Sequence, residues 1–402
     1  MSETLQLLLA LAIILFAAKA GGYAATRLHQ PAVLGELLVG LLLGPSLVNM
    51  FHIGPFASGH TEAVVYELAE IGVVFLMFVA GLEVDVEEML KSGKVALLAG
   101  NLGVLVPLVS GTLIALAFQR ELYAAIFVGL ILTATSVSIS AQTLLELGVL
   151  KSKEGLALLG AAVVDDVVAI LALSIFLAVT GTGEETRPVW LVIVLMVVFF
   201  IIAIAFGARF FAPLTRFVDK LPVSEGILTL VIVITLLYAW SAEVVGGVAA
   251  ITGAFIAGVF FARTHFREEI ERGMHTLTFS FFVPIFLVSI GLRANLRDID
   301  ANGLIFLLAL IVVAILTKVL GSGIGARLGG FTNLASLRVG LGMVSRGEVG
   351  LIITTIGLSA GLVTTEEYSQ VVIMVLATTL VTPPLLRWAY NLKTSQAQPK
   401  ES

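Results

Sequence analysis

Apolar residues in this chain run in long blocks, and the blocks have the length of membrane-spanning helices. Windows of about 19 residues, cut where glycine, proline and charged residues cluster, predict spans over 5–25, 32–49, 65–82, 94–118, 122–145, 154–180, 189–210, 224–241, 246–262, 275–292, 303–326, 333–360 and 368–390. That makes thirteen, of which 224–241 is one of the short ones. The opening MSETLQLLLA has no basic stretch, so residues 5–25 read as a retained span and not as a cleaved signal. Residues 394–402 read as a short tail outside the membrane, with no soluble domain attached.

The loops set an orientation. With the N-terminus outside, the inner loops and tail hold fifteen of the 23 Lys and Arg residues. The outer loops hold four, Arg120, Arg187, Arg293 and Arg297, and the other four (Lys19, Lys318, Arg338 and Arg346) fall inside spans. Positive charge collects on the cytoplasmic side, so the pattern predicts N-out and C-in and supports an odd number of spans.

Two internal similarities sharpen the fold. VLGELLVGLLLG (33–44) resembles ITGAFIAGVFFA (251–262), and FLMFVAGLEVDV (75–86) resembles IFLVSIGLRANL (285–296). Each joins spans seven apart, and an odd separation reverses orientation. This is the signature of inverted-topology repeats, which place a transported ion near the midplane between the halves. The same offset relates the fifth span to the twelfth. The fifth carries TATSVSIS, with Thr135 and Ser136, and the twelfth carries GLGMVSRGEVG (340–350). Polar interruptions at matching places predict two broken, crossing helices, since irregular backbone at that depth survives only where it is buried or lines a cavity.

Composition agrees with an all-α polytopic membrane protein: 58% of residues are hydrophobic and 13% charged, about half the usual globular share of charge. The net charge of −5 comes with no basic run, so no nucleic-acid partner is expected; the lipid bilayer is. There is no cysteine, which excludes disulfides, thiolate catalysis and cysteine-based metal sites. The five histidines lie near loops without ligand spacing, and no cofactor is expected.

Candidate chemistry centres on GAAVVDDVVAILALS (160–174), where Asp165 and Asp166 stand together deep in an apolar block. A single carboxylate near the bilayer centre costs about 2.5–3.5 kcal/mol on insertion scales. Neighbours on a helix point about 100° apart, so the two carboxylates are expected to do different jobs in binding a proton or a small cation. A loop-facing helix cap is the plainer reading, and the pair lies too deep for it. Lys318 sits well inside the eleventh span. It either snorkels to an interface or, on the sharper reading, pairs with one of the aspartates, which makes burial of both tolerable. Arg346 and Glu348 are expected to brace the second broken segment, through each other or through the ends of the crossing pieces, more than to handle the ion. Glu36 is open between packing and a vestibule role. Asn101 is expected to support the bundle through a hydrogen bond between helices, and Pro284 to kink the tenth span.

The sequence of a Thr/Ser-rich broken segment, a paired-aspartate span, a lysine span and a second broken segment with Arg-Gly-Glu resembles bacterial sodium/proton antiporters of the monovalent cation:proton antiporter-2 family. The likeness runs over nearly the whole chain and is greatest to electrogenic, thirteen-helix members with two aspartates. It implies exchange of sodium (or lithium) for protons by elevator-like movement. A core of 91–183 and 299–393 would move against a dimerisation domain of 1–90 and 221–298, with 184–220 as linker and 394–402 as cytoplasmic tail. It implies Asp166 as the main cation and proton site, Asp165 paired with Lys318, and Thr135 and Ser136 lining the crossing. A homodimer in the bacterial inner (plasma) membrane is implied as well. Potassium/proton exchange and sodium-coupled solute symport remain the alternatives within transport. An intramembrane aspartyl protease lacks its YD and GxGD contexts here, and no channel filter motif is evident.

Overall fold

The computed structural model describes residues 2–28, 30–56, 59–83, 91–180, 188–293 and 301–392, and these contain helices and no strand. Helices α1 (Glu3–Arg27), α2 (Ala32–Leu43), α3 (His60–Glu83) and α4 (Gly93–Ala117) lead to a span in two pieces, α5 (Leu122–Ile131) and α6 (Val137–Glu146). Next come α7 (Lys153–Thr180), α8 (Val189–Val218), α9 (Gly226–Val244) and α10 (Ala250–Phe261). The tenth span joins α11 (Arg267–Leu277) through a π-helical turn, Thr278–Phe282, to α12 (Val283–Leu292). Then follow α13 (Ala301–Leu328), a second broken span of α14 (Asn333–Gly342) and α15 (Glu348–Ser359), and α16 (Thr365–Asn391). Nine helices among the described residues are long and apolar enough to cross a membrane. Counting each broken pair as one unit and adding α2 and α10, every predicted window falls on one of these spans. The expected tail, 394–402, lies outside the described residues.

Helices α2 and α10 are 12 residues each, and a helix of that length rises only about 18 Å, short of a hydrocarbon core roughly 30 Å thick. The window 32–49 overran because Gly44 and Pro45 end the helix at Leu43. Proline lacks the N–H and clashes with the preceding turn.

The inverted repeat is visible in the packing. α2 lies on α12, and α10 lies on α3. A Cβ at Gly40 would strike the Val288 backbone, and a Cβ at Gly258 would strike the Phe78 backbone. Gly40 and Gly258, and likewise Phe78 and Val288, occupy equivalent places in the two similar sequence pairs. The same close helix crossing is therefore built twice, as membrane helices build it, with small residues that let backbones touch.

Pro284 does disturb the tenth span, through a π turn. In i→i+5 spacing the partner of the Phe279 carbonyl is the Pro284 nitrogen, which has no hydrogen. Lys19 of α1 donates to that carbonyl at 3.2 Å instead.

α4 packs along both α7 and α13, and α13 packs in turn on α14 and α16. This brings α7 and α13 together along α4, a geometry on which the site depends.

Candidate functional site at the helix crossing

Both broken helices stop where Ser, Thr or Gly stand, because hydroxyl side chains offer the backbone a competing partner. The two connecting stretches then bond to each other. Ser136 N donates to Ser345 O at 2.8 Å, and Ser345 Oγ donates to Ser136 O at 2.8 Å. Ser140 Oγ lies 3.0 Å from Ser345 Oγ and donates to Gly342 O. Ser136 Oγ and Ser138 Oγ are 3.0 Å apart.

Arg346 holds the junction. Its guanidinium donates to Val344 O at 2.6 Å, to Leu132 O at 2.9 Å and to Ala314 O at 3.0 Å. Leu132 is the C-cap of α5, so a fixed cation meets the partially negative end of a half-helix. Thr379 of α16 ties down the Arg346 carbonyl at 2.7 Å. Arg346 is fully buried, and it joins the ends of the crossing pieces to α13 through Ala314. The Glu348 side chain lies outside the described residues.

Asp165 and Lys318 meet beside this junction. Lys318 Nζ donates to Asp165 Oδ1 at 2.6 Å, and both side chains are 0% exposed. Snorkelling is therefore not how Lys318 is accommodated. Thr135 and Arg346 lie close enough to act on the Asp165 charge. Three oxygens around it, Asp165 Oδ2, Thr135 Oγ1 and Ser322 Oγ, are buried without a hydrogen-bond partner. Buried polar atoms are seldom left so, and each such exception calls for an explanation.

Asp166 turns the other way, as neighbours on a helix must. It is 3% exposed and lines a small cleft with Leu159 and Val163 of α7, Val137 of α6, Met77 of α3, and Ile251, Thr252 and Phe255 of α10. Asp166 and Thr252 are the polar members of that lining. One aspartate thus faces a sealed lysine and its neighbour faces a cleft.

Asp165, Asp166, Lys318, Thr135, Ser136 and Arg346 all gather at the crossing. Asn101 does not hold helices together as expected: its amide donates to Leu97 O, one turn back on its own helix, at 2.8 Å. Sequence reasoning missed Gly103, Ser322, Thr252 and Thr379. Ser322 had a signal in its spacing, four residues after Lys318 and so on the same helix face. For Gly103, Thr252 and Thr379 the chain offers no pattern, since their relevance comes from helices packed against them.

A second polar cluster lies away from the crossing. Glu36 of α2 pairs with Lys19 at 3.5 Å. At the start of the same helix, Glu146 from the end of α6 accepts from the N–H groups of Ala32 and Val33, the latter at 3.3 Å. These are two of the donors a helix N-terminus leaves open.

A pair of inverted, broken helices that cross beside membrane-buried aspartates defines a class of secondary transporter folds. Comparison with known proteins gives the family. Residues 11–391 match the family described as "Sodium/hydrogen exchanger, transmembrane". The chain is 39% identical to the Na(+)/H(+)-K(+) antiporter GerN of Bacillus cereus over 383 residues, 95% of this chain and 96% of that protein. It is 38% identical to an Na(+)/H(+) antiporter of Enterococcus hirae, covering 94% of this chain and 96% of that one. Its fold is similar to that of the sodium proton antiporter MjNhaP1 from Methanocaldococcus jannaschii, with a TM-score of 0.73 at 18% identity and full coverage of both chains. The chain belongs to the sodium/hydrogen exchanger family.

Proposed function

We propose that this chain is an electrogenic sodium/proton antiporter in which the cation and protons compete for Asp166. Family membership supports the exchange, and the relatives' names are those of antiporters, not of enzymes. The observation that carries the residue assignment is the sealed Asp165–Lys318 pair directly behind a cleft-facing Asp166.

The steps follow from burial and charge. Sodium (or lithium) entering the cleft meets the Asp166 carboxylate, with the Thr135 and Ser136 hydroxyls and backbone at the crossing behind it. Its positive charge beside Asp165 weakens the hold on Lys318, which lets go and loses its proton, so that Asp166 and Lys318 together carry two protons against one cation. Re-protonation on the other side displaces the cation. Each loaded form is nearly neutral, so the part carrying the site can cross the apolar barrier, while the empty charged form pays too much in desolvation. A site that handles one monovalent cation against more than one proton moves net charge, which is the reason for calling it electrogenic.

The movement is elevator-like on this reading. A core of 91–183 and 299–393 slides against a dimerisation domain of 1–90 and 221–298, with 184–220 as linker and 394–402 as tail. The cleft supports this division, since Asp166 and Val137 on one wall face Met77, Ile251 and Phe255 on the other. A homodimer in the bacterial inner membrane, with the N-terminus outside and the C-terminus cytoplasmic, completes the reading; the fifteen-to-four charge bias supports the orientation.

The test is proton flux in proteoliposomes with a pH-sensitive dye and added sodium, lithium or potassium. Wild type should show sodium-evoked flux, and Asp166→Asn should abolish it. Sodium-evoked flux that survives in Asp166→Asn would remove Asp166 from the centre of the scheme. A response to potassium alone would turn the reading to potassium/proton exchange, an ion that also appears in the name of the Bacillus cereus relative.

A further inference from the structure

Asp165 and Lys318 account for each other, but Ser322 is left with no role in that arrangement. Its side chain is fully buried on α13, and its hydroxyl has no hydrogen-bond partner. It follows Lys318 by four residues on the same helix. Positions i and i+4 share a face, so Ser322 and Lys318 stand on the same face of α13. Gly103 of α4 fixes where the hydroxyl opens. A Cβ at Gly103 would collide with Ser322 Oγ and would lie 3.4 Å from Asp165 Oδ1. The missing side chain therefore lets the serine hydroxyl pack onto α4 beside the very oxygen that Lys318 now holds.

We propose that Ser322 is the second resting place of the Lys318 nitrogen, the group that takes it when it leaves Asp165. This rests on the antiport reading, in which cation binding frees the lysine. In a sealed interior a freed nitrogen with no acceptor is strongly disfavoured, and that penalty would fall on the cation-loaded state. The two ends of the move are neighbours, since the serine hydroxyl and Asp165 Oδ1 both lie against the same point of α4, at Gly103. The hydroxyl accepts from an ammonium and also exchanges a hydrogen bond with an amine, so the protonation state of the lysine does not decide the matter. Ser322 is on this view a positioning residue that acts through Lys318.

The experiment is sodium-dependent proton flux in proteoliposomes for wild type, Ser322→Ala, Lys318→Ala and the double variant, each first shown to be monodisperse. Ser322→Ala should raise the apparent KM for sodium by about tenfold, the ratio set by one hydrogen bond to a charged group. The rate at saturating sodium should stay within about twofold of wild type. Adding Ser322→Ala to Lys318→Ala should change nothing further. Where Lys318→Ala is too slow to assay, sodium-dependent thermal stabilisation of the purified variants gives the same comparison. If Ser322→Ala is not monodisperse, Ser322→Cys takes its place, with a smaller rise in KM because a thiol is a weak partner. A wild-type KM in the serine variant overturns the proposal, as does an effect of undiminished size in the Lys318→Ala background. Absence of any sodium response in wild type would instead sink the antiport reading itself.

Discussion

Among the described residues two lysine–carboxylate pairs join membrane helices, and they are built to different ends. Lys318 and Asp165 are 2.6 Å apart and wholly sealed. Lys19 and Glu36 are 3.5 Å apart, and the lysine side chain is 56% exposed while the glutamate is 8% exposed. Lys19 also has the Phe279 carbonyl as a second partner, whereas the Asp165–Lys318 pair is surrounded by oxygens that have none. A half-wet pair with extra partners is bracing. A dry pair among unsatisfied hydroxyls has somewhere else to go, and its strength in one state comes with readiness for another.

The comparison can be tested hardest at Lys318. Lys318→Ala leaves a buried carboxylate uncompensated and should destabilise the purified protein by about 3–5 kcal/mol, read as a large drop in melting temperature. Replacing both partners, Lys318→Met with Asp165→Leu, should return most of that stability while transport stays impaired. A fall in stability for the double variant as large as for the single one would mean that the pair stabilises the fold and does not serve a switch. An intermediate effect is expected at Arg346. Arg346→Lys keeps the charge but cannot span three carbonyls on separate segments, and a loss of about 1.5–3 kcal/mol is expected, measured in the same melts. The smallest effect belongs to the exposed pair. Lys19→Met should cost roughly 0.2–1 kcal/mol and leave sodium-evoked flux within about twofold of wild type. A transport defect there as deep as that of Lys318→Ala would erase the distinction between the two pairs.

Most of the fold was legible because a bilayer demands long apolar runs, and thirteen such runs stand in the chain. The breaks were legible too, since Thr133 to Ser140 and Gly340 to Gly350 put hydroxyls and glycines where a spanning helix needs neither. Asp165, Asp166 and Lys318 stood out for the cost of burying them. What sequence could not supply were relations between distant helices. The π turn is intelligible only once Lys19 is seen at the Phe279 carbonyl, 260 residues away in the chain. Gly103 matters because Ser322 and Asp165 meet across it, and Thr252 because the start of α10 faces Asp166 over the cleft. Asn101 misled in the opposite sense, since a polar residue on a membrane helix can spend its hydrogen bond on its own backbone.

The paired glycine crossings give the molecule an internal control. Gly40 on the Val288 backbone and Gly258 on the Phe78 backbone are one joint made twice. An identical substitution at both, such as Gly40→Ala and Gly258→Ala, asks the same mechanical question in the two related halves of a single polypeptide. Any difference between the two answers belongs to the surroundings and not to the joint. A duplicated, inverted design thus separates what the fold requires from what each half adds.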